Sequence, residues 1–169
     1  MDVKKFVNGI DAFSDRVGRY TSWIILSLVI LTVFEVFTRR ILGAPTIWTL
    51  ESTMYLAAAV CMLAMGYTEL YKGHASVDIL YIHFSDKTKA ICTIISFVFF
   101  TGLFSFVLIV YGSFFFYDSV VIFEKSASAF NAPVWPSKLA IPVGGFLLFI
   151  QNLSHTVREV YFLAKGVHI

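Results

Sequence analysis

Hydrophobic residues in this chain come in four long blocks, and the charges fall almost entirely between them. Tyr20–Phe34 runs for 15 residues without a charge and continues to Thr38 if Glu35 is counted within it. Ser52–Thr68 runs for 17, Ala90–Tyr117 for 28 and Leu139–Val157 for 19. About 20 apolar residues in a helix cross the hydrocarbon core of a bilayer. The pattern therefore predicts an all-α protein: an integral membrane bundle of four transmembrane helices, over about 20–39, 52–70, 90–117 and 139–160. The third block exceeds one crossing and is expected to tilt or to run on past the lipid. Residues 1–19 mix apolar positions with Lys, Asp and Arg, which suits a cytoplasmic segment forming a helix along the membrane surface. The transmembrane domain then occupies 20–162, and 163–169 form a short tail. Arg39–Arg40, not a small-residue cleavage site, follow the first block, so that span is expected to be retained.

Lys and Arg set the orientation. With the N-terminus inside, the inner segments hold Lys4, Lys5, Arg16, Arg19, Lys72, Lys87, Lys89, Arg158 and Lys165, while the outer ones hold only Arg39, Arg40, Lys125 and Lys138. An excess of cations marks cytoplasmic segments, so both termini are expected in the cytoplasm.

Composition agrees. The chain is 58% hydrophobic and 14% charged, with a mean hydropathy of +0.79, against roughly 45–50% and about 25% in soluble domains. A net charge of +2 with no basic cluster gives no reason to expect nucleic acid. Cys61 and Cys92 lie inside apolar blocks and read as small packing residues. There is no Gly-rich phosphate loop, no Ser/His/Asp signature and no Cys/His spacing for a metal. Nothing suggests an enzyme, a cofactor or a metal site.

What remains to explain is the stretch FEVFTRRILGAPTIWTLESTMY, which sets Glu35, Arg39, Arg40 and Glu51 against the edges of apolar blocks. Glu35 and Arg39 are four apart with the acid first, the better order for a helical ion pair. Three readings stand: a pair that ends the helix at the interface, a buried pair facing a partner helix, or a coupling carboxylate. Pro45 suits a helix start, Trp48 an aromatic belt, and Glu51 the first turn of the second span, where it could also meet Arg39 or Arg40. Ala57, Cys61, Ala64 and Thr68 give the second span a small face for close helix packing. Gly73, His74 and Asp78 follow. Two candidate ligands four apart make no metal site alone, and a glycine turn with a Ser76 or Asp78 cap accounts for them. Pro133, Trp135 and Pro136 precede the fourth span. Pro142 and Gly144–Gly145 lie within it, as expected of a closely packed helix whose freed carbonyl is met by a neighbour.

Taken in order, Arg39 or Arg40, Trp48-Thr49-Leu50-Glu51, Gly73-His74-Ala75-Ser76-Val77-Asp78, Pro133-Val134-Trp135 and Pro142 resemble the small membrane (Q-type) subunit of tripartite ATP-independent periplasmic (TRAP) transporters. The likeness runs from about residue 15 to 162. Ala75-Ser76 depart from the more apolar or basic pair expected at that place in the loop. The resemblance implies an accessory scaffold in the bacterial inner membrane, with no substrate site of its own. Its partners would be membrane lipid, a large multi-span permease carrying the substrate and sodium sites, and a periplasmic binding protein that delivers a carboxylate. Glu35, Arg39, Arg40, Trp48, Glu51, Gly73, His74, Asp78, Trp135 and Pro142 would then serve structure and partner contact. Two rivals fit four spans: a small proton-coupled exporter using an acid in its first span, and a membrane anchor of a respiratory enzyme, in which His155, near the inner end of the fourth span, is the histidine to consider for haem. The orientation is open to a direct check. Reporter fusions after Arg19, after Lys87 and at the C-terminus should read cytoplasmic and one at Lys125 should read external; a cytoplasmic reading at Lys125 would sink the four-span topology.

Overall fold

A computed structural model of the chain describes residues 3–73 and 84–167. Four helices carry nearly all of them: α1 (Val3–Arg40), α2 (Ile47–Leu70), α3 (Asp86–Val121) and α4 (Trp135–Lys165). Each is long and apolar enough to cross a membrane. The fold is thus an all-α membrane bundle of four spans. α1 has 38 residues without a break, about 57 Å at 1.5 Å per residue, so residues 3–19 are the first turns of the same helix that makes the first span. His74 and Asp78 lie outside the described residues.

The helix ends follow from local chemistry. α2 stops in a Schellman motif: Gly73 N–H donates to the Thr68 carbonyl at 2.8 Å and Lys72 N–H to that of Glu69 at 3.0 Å. Lys72, not Gly73, takes the left-handed conformation, with φ 52°. α3 ends the same way on Phe123, with Glu124 N–H on the Ser119 carbonyl at 2.9 Å. Ser85 caps the start of α3, its hydroxyl accepting from Thr88 N–H at 3.3 Å. Within α3, Phe97–Thr101 form a π-helical turn. The N–H of Gly102 reaches back five residues to the Phe97 carbonyl, so close that a side chain at 102 would collide with that oxygen.

α4 is the central helix. Half of its membrane window is buried, against 11% for each of the others. Its neighbours approach through glycine. A Cβ at Gly144 would stand 2.5 Å from the Met62 carbonyl oxygen, and one at Gly145 would stand 2.7 Å from Leu108 Cβ. The complementary glycines do the same from the other side. Gly66 of α2 lies against the Leu147 backbone, and Gly112 of α3 against Ile141 and the ring of Pro142. Lipid tails are as apolar as leucine, so helices in a membrane associate by close packing, and small residues permit it. The tight seam of α2 therefore runs through Met62 and Gly66. Of the small residues expected there, Ala57, Ala64 and Thr68 are half-buried and Cys61 is exposed.

Large apolar side chains cover the outside, among them Phe99, Phe100 and Phe114 of α3 and Trp23, Ile30 and Val33 of α1. In water this would be an aggregating surface; against lipid or another membrane chain it is an ordinary one. Two glycine substitutions separate the packing argument from general helix propensity. Gly144→Ala should cost about 1–3 kcal/mol through overpacking, whereas Gly9→Ala, with nothing within 4 Å of the new Cβ, should stabilise α1 by about 0.5–1 kcal/mol. Thermal unfolding in detergent measures both, and equal effects would refute the seam.

Candidate functional site

Polar side chains gather at the two ends of the bundle. Between them, hydroxyls turn inward on their own helices. Ser27 bonds the Trp23 carbonyl at 3.1 Å, Thr32 that of Leu28 at 2.8 Å, Ser105 that of Thr101 at 2.6 Å and Ser113 that of Ile109 at 2.6 Å. These groups are satisfied within one helix and are not arranged around a common point. Among the described residues, no three His, Cys, Asp or Glu stand close enough to hold a metal ion.

At the end opposite the termini, Glu35 joins α1 to α2. Arg39 donates to its Oε1 from Nε at 3.0 Å and from Nη2 at 2.6 Å. Its other oxygen, Oε2, accepts from the Thr46 N–H at 3.3 Å and from the Thr46 hydroxyl. Thr46 is the residue before α2, with an extended backbone, so the carboxylate fixes where the second helix starts. The Glu35 side chain is 13% exposed and that of Arg39 is 56% exposed; the acid is the sheltered partner. Phe34 and Trp48 pack across the same link with ring centroids 6.1 Å apart. Arg40 points outward beside a groove of about 350 Å³ lined by Thr32, Val36, Leu50 and Thr53.

Glu51 is placed differently from the sequence expectation. α2 begins at Ile47, which puts Glu51 past its first turn, where the helix dipole has largely faded. The residue is 7% exposed, and among the described residues it pairs with neither Arg39 nor Arg40. Across the same end, Lys138 of α4 pairs with Glu124 in the loop after α3 and lies 3.7 Å over the Phe115 ring. The hydrogen bond from Lys138 holds the Glu124 carboxyl below the ordinary glutamate range. That tie is therefore complete at neutral pH and is lost only as acid protonates Glu124 at its lowered pKa. Trp135 meets Phe116 edge-on at 6.4 Å.

The end carrying the termini holds a larger cluster. Asp11 Oδ1 accepts from Gln151 Nε2 and from Ser154 Oγ, each at 3.0 Å, and its other oxygen pairs with Arg158. Ser14 donates to Gln151 Oε1 at 2.7 Å. Ser14, Gln151 and Ser154 are essentially inaccessible. Nearby, Tyr71 donates to Asp15 at 3.0 Å, and His155 Nε2 donates to the Glu69 carbonyl at 3.1 Å. This bond occupies the nitrogen through which His155 would otherwise reach a haem. The sequence carried a signal for the cluster that the charge pattern alone passed over. Gln151, Ser154 and Arg158 recur at three and four residues, which is one helix face, and Asp11 and Ser14 are likewise three apart.

The family model for the DctQ component of tripartite ATP-independent periplasmic transporters matches residues 28–161. The chain belongs to this family. The match begins inside α1 and ends inside α4, so it spans the Glu35 link, the Glu124–Lys138 tie and the α4 half of the Asp11 cluster, and omits Asp11 and Ser14 themselves. A search of curated proteins and a search of solved structures each found no match. DctQ is a component of a transporter and not an enzyme family. For this DctQ chain, the geometry makes the Glu35 link asymmetric. Arg39→Ala should leave the melting temperature in detergent almost unchanged, since the pair is screened at an exposed guanidinium. Glu35→Ala should lower it clearly, because Thr46 N–H loses its acceptor. Glu35→Gln, which keeps an acceptor oxygen, should fall between. Equal losses for Arg39→Ala and Glu35→Ala would mean that the ion pair, and not the tie to Thr46, holds the two helices.

Proposed function

We propose that this DctQ subunit is a fixed scaffold for a large permease, and that the assembly takes up a carboxylate substrate delivered by a periplasmic binding protein and driven by sodium. It would lie in the bacterial inner membrane with both termini in the cytoplasm, as the excess of Lys and Arg at that end favours. The observation that carries this reading is the division of labour within the chain. Its ion pairs at Glu35, Glu124 and Asp11 tie its own helices and loops together at both ends, and its outer surface is apolar and rich in Phe. A carrier needs a polar path through the middle of the membrane; here the mid-span hydroxyls are closed onto their own backbones. An exporter driven by Glu35 would need that acid free to load and release a proton, whereas it is engaged by Arg39 and Thr46.

The test is uptake in a strain that expresses a TRAP permease and binding protein from the same source with and without this subunit. Uptake should fall to background without it and return with Glu35→Gln, and the subunit should co-purify with the permease. Full sodium-dependent uptake in its absence would overturn the scaffold role, and uptake by this subunit alone would favour a free-standing carrier.

A further inference from the structure

Arg39 and Arg40 are neighbours in sequence and are employed differently. Arg39 gives Nε and Nη2 to Glu35 and leaves Nη1 unengaged. Arg40 has no hydrogen-bond or ion-pair partner among the described residues. Thr38 is buried against the bundle, and Arg40 lies about 200° farther round α1 and is exposed. Both guanidiniums line the groove of about 350 Å³ between α1 and α2, and Glu35 is the one acid among the residues lining it. The mouth of the groove therefore carries one positive charge that nothing lining it balances.

Below the mouth the groove changes character. Thr32 and Thr53 line it, but their hydroxyls are closed onto the carbonyls of Leu28 and Thr49, at 2.8 and 2.7 Å, and need no polar occupant. Val36 and Leu50 complete it. A second hollow of about 330 Å³ adjoins it on the outer side of α1; it shares Thr32, Val36 and Arg40 and adds Val33, Phe37 and Ile41. From Thr32 to Arg40 is about 12 Å of helix at 1.5 Å per residue, and half of the hydrocarbon core is about 15 Å. The apolar part thus lies within one leaflet. An α-helix is roughly 10–12 Å across and would rest on these hollows, whereas a single acyl chain enters them.

A guanidinium offers a phosphate two parallel N–H groups. A guanidinium above an apolar groove one leaflet deep matches the two halves of a phospholipid. The unbalanced charge favours a lipid of net negative charge, since a zwitterionic headgroup would bring its ammonium beside two guanidiniums. We propose that the α1–α2 groove, at the end opposite the termini, seats one anionic phospholipid, with its phosphate on Arg40 and Arg39 and an acyl chain along Val36 and Leu50. The inference does not rest on the transporter reading, because it uses groups of this chain alone.

The probe is a phosphatidylglycerol with a diazirine on one acyl chain, at low fraction in phosphatidylcholine nanodiscs around the protein purified with whatever chain accompanies it. After illumination, adducts should concentrate on peptides containing Val36 and Leu50 and not on Phe99 and Phe100, although these are at least as exposed. Unlabelled phosphatidylglycerol should compete and inorganic phosphate should not. A phosphatidylcholine with the same diazirine should label several-fold less. Arg40→Gln should lower the adduct several-fold, Arg40→Lys by less, and Arg16→Gln at the other end not at all. Adducts spread evenly over the apolar surface, indifferent to Arg40→Gln, or equal for the two headgroups would overturn the seat. So would competition by inorganic phosphate, which would mean a free-anion site. A groove without adducts would also overturn it, and would mean that a partner chain covers the groove and pairs with Arg40. The adduct map and the headgroup comparison on the parent protein decide the matter even if a variant fails to fold.

Discussion

In a bilayer, two helices gain nothing by hiding apolar surface from each other, because lipid receives that surface equally well. What is left is the distance of approach. The contacts around α4 are built on this constraint. Gly144 and Gly145 are consecutive, so their missing side chains face neighbours on two sides of the helix, Met62 of α2 and Leu108 of α3. Gly66 and Gly112 answer from those neighbours. Backbones that close exchange dispersion contacts along their length, and the position of α4 between the other helices follows from where the glycines stand. Pro142 belongs to the same arrangement. Its ring cannot serve the helix hydrogen-bond ladder, but it fills the space that Gly112 leaves.

Close packing fixes separation better than it fixes axial position, and the polar ends supply what it lacks. A hydrogen bond has a narrow range of useful lengths and angles. The Asp11–Gln151–Ser154–Arg158 cluster sets the height of α1 against α4. Glu35 sets the start of α2 against the end of α1, and Glu124–Lys138 anchors the loop after α3 to the first turn of α4. The division is economical in a low-dielectric medium: hydrogen-bonding groups stay near the ends, where an unmet one can still find water, and the middle is left to shape.

Much of this was legible in the chain. Four uncharged blocks gave four spans, and Glu35 with Arg39 gave a pair on one helix face, because both rest on short-range periodicity. The rest depended on which helix lies at the centre, a fact that no local pattern contains. Ala57, Cys61, Ala64 and Thr68 share a small face as the spacing implies, yet Cys61 is exposed because α4 meets α2 through Met62 and Gly66. Gln151 reads as a polar residue in an apolar block until Asp11 and Ser14, more than 130 positions earlier, are brought beside it. The apolar block opens at Ser52 and so puts Glu51 at the start of the second span, whereas α2 begins four residues before that acid, just after the Thr46 contact.

The π-helical turn at Phe97–Thr101 changes which residues of α3 share a face. A turn of this kind accommodates one residue more than an α-helical turn. The faces of α3 before and after it are therefore out of phase by one position, about 100° around the axis. Gly102 marks the place where the extra residue is absorbed, and its bare Cα lets the Phe97 carbonyl come in close. Such a junction joins two helical segments whose registers were set separately, one by α4 near Phe149 and the other by the glycine seam at Leu108. The change of phase is confined to five residues, and the chain on either side keeps its own partners.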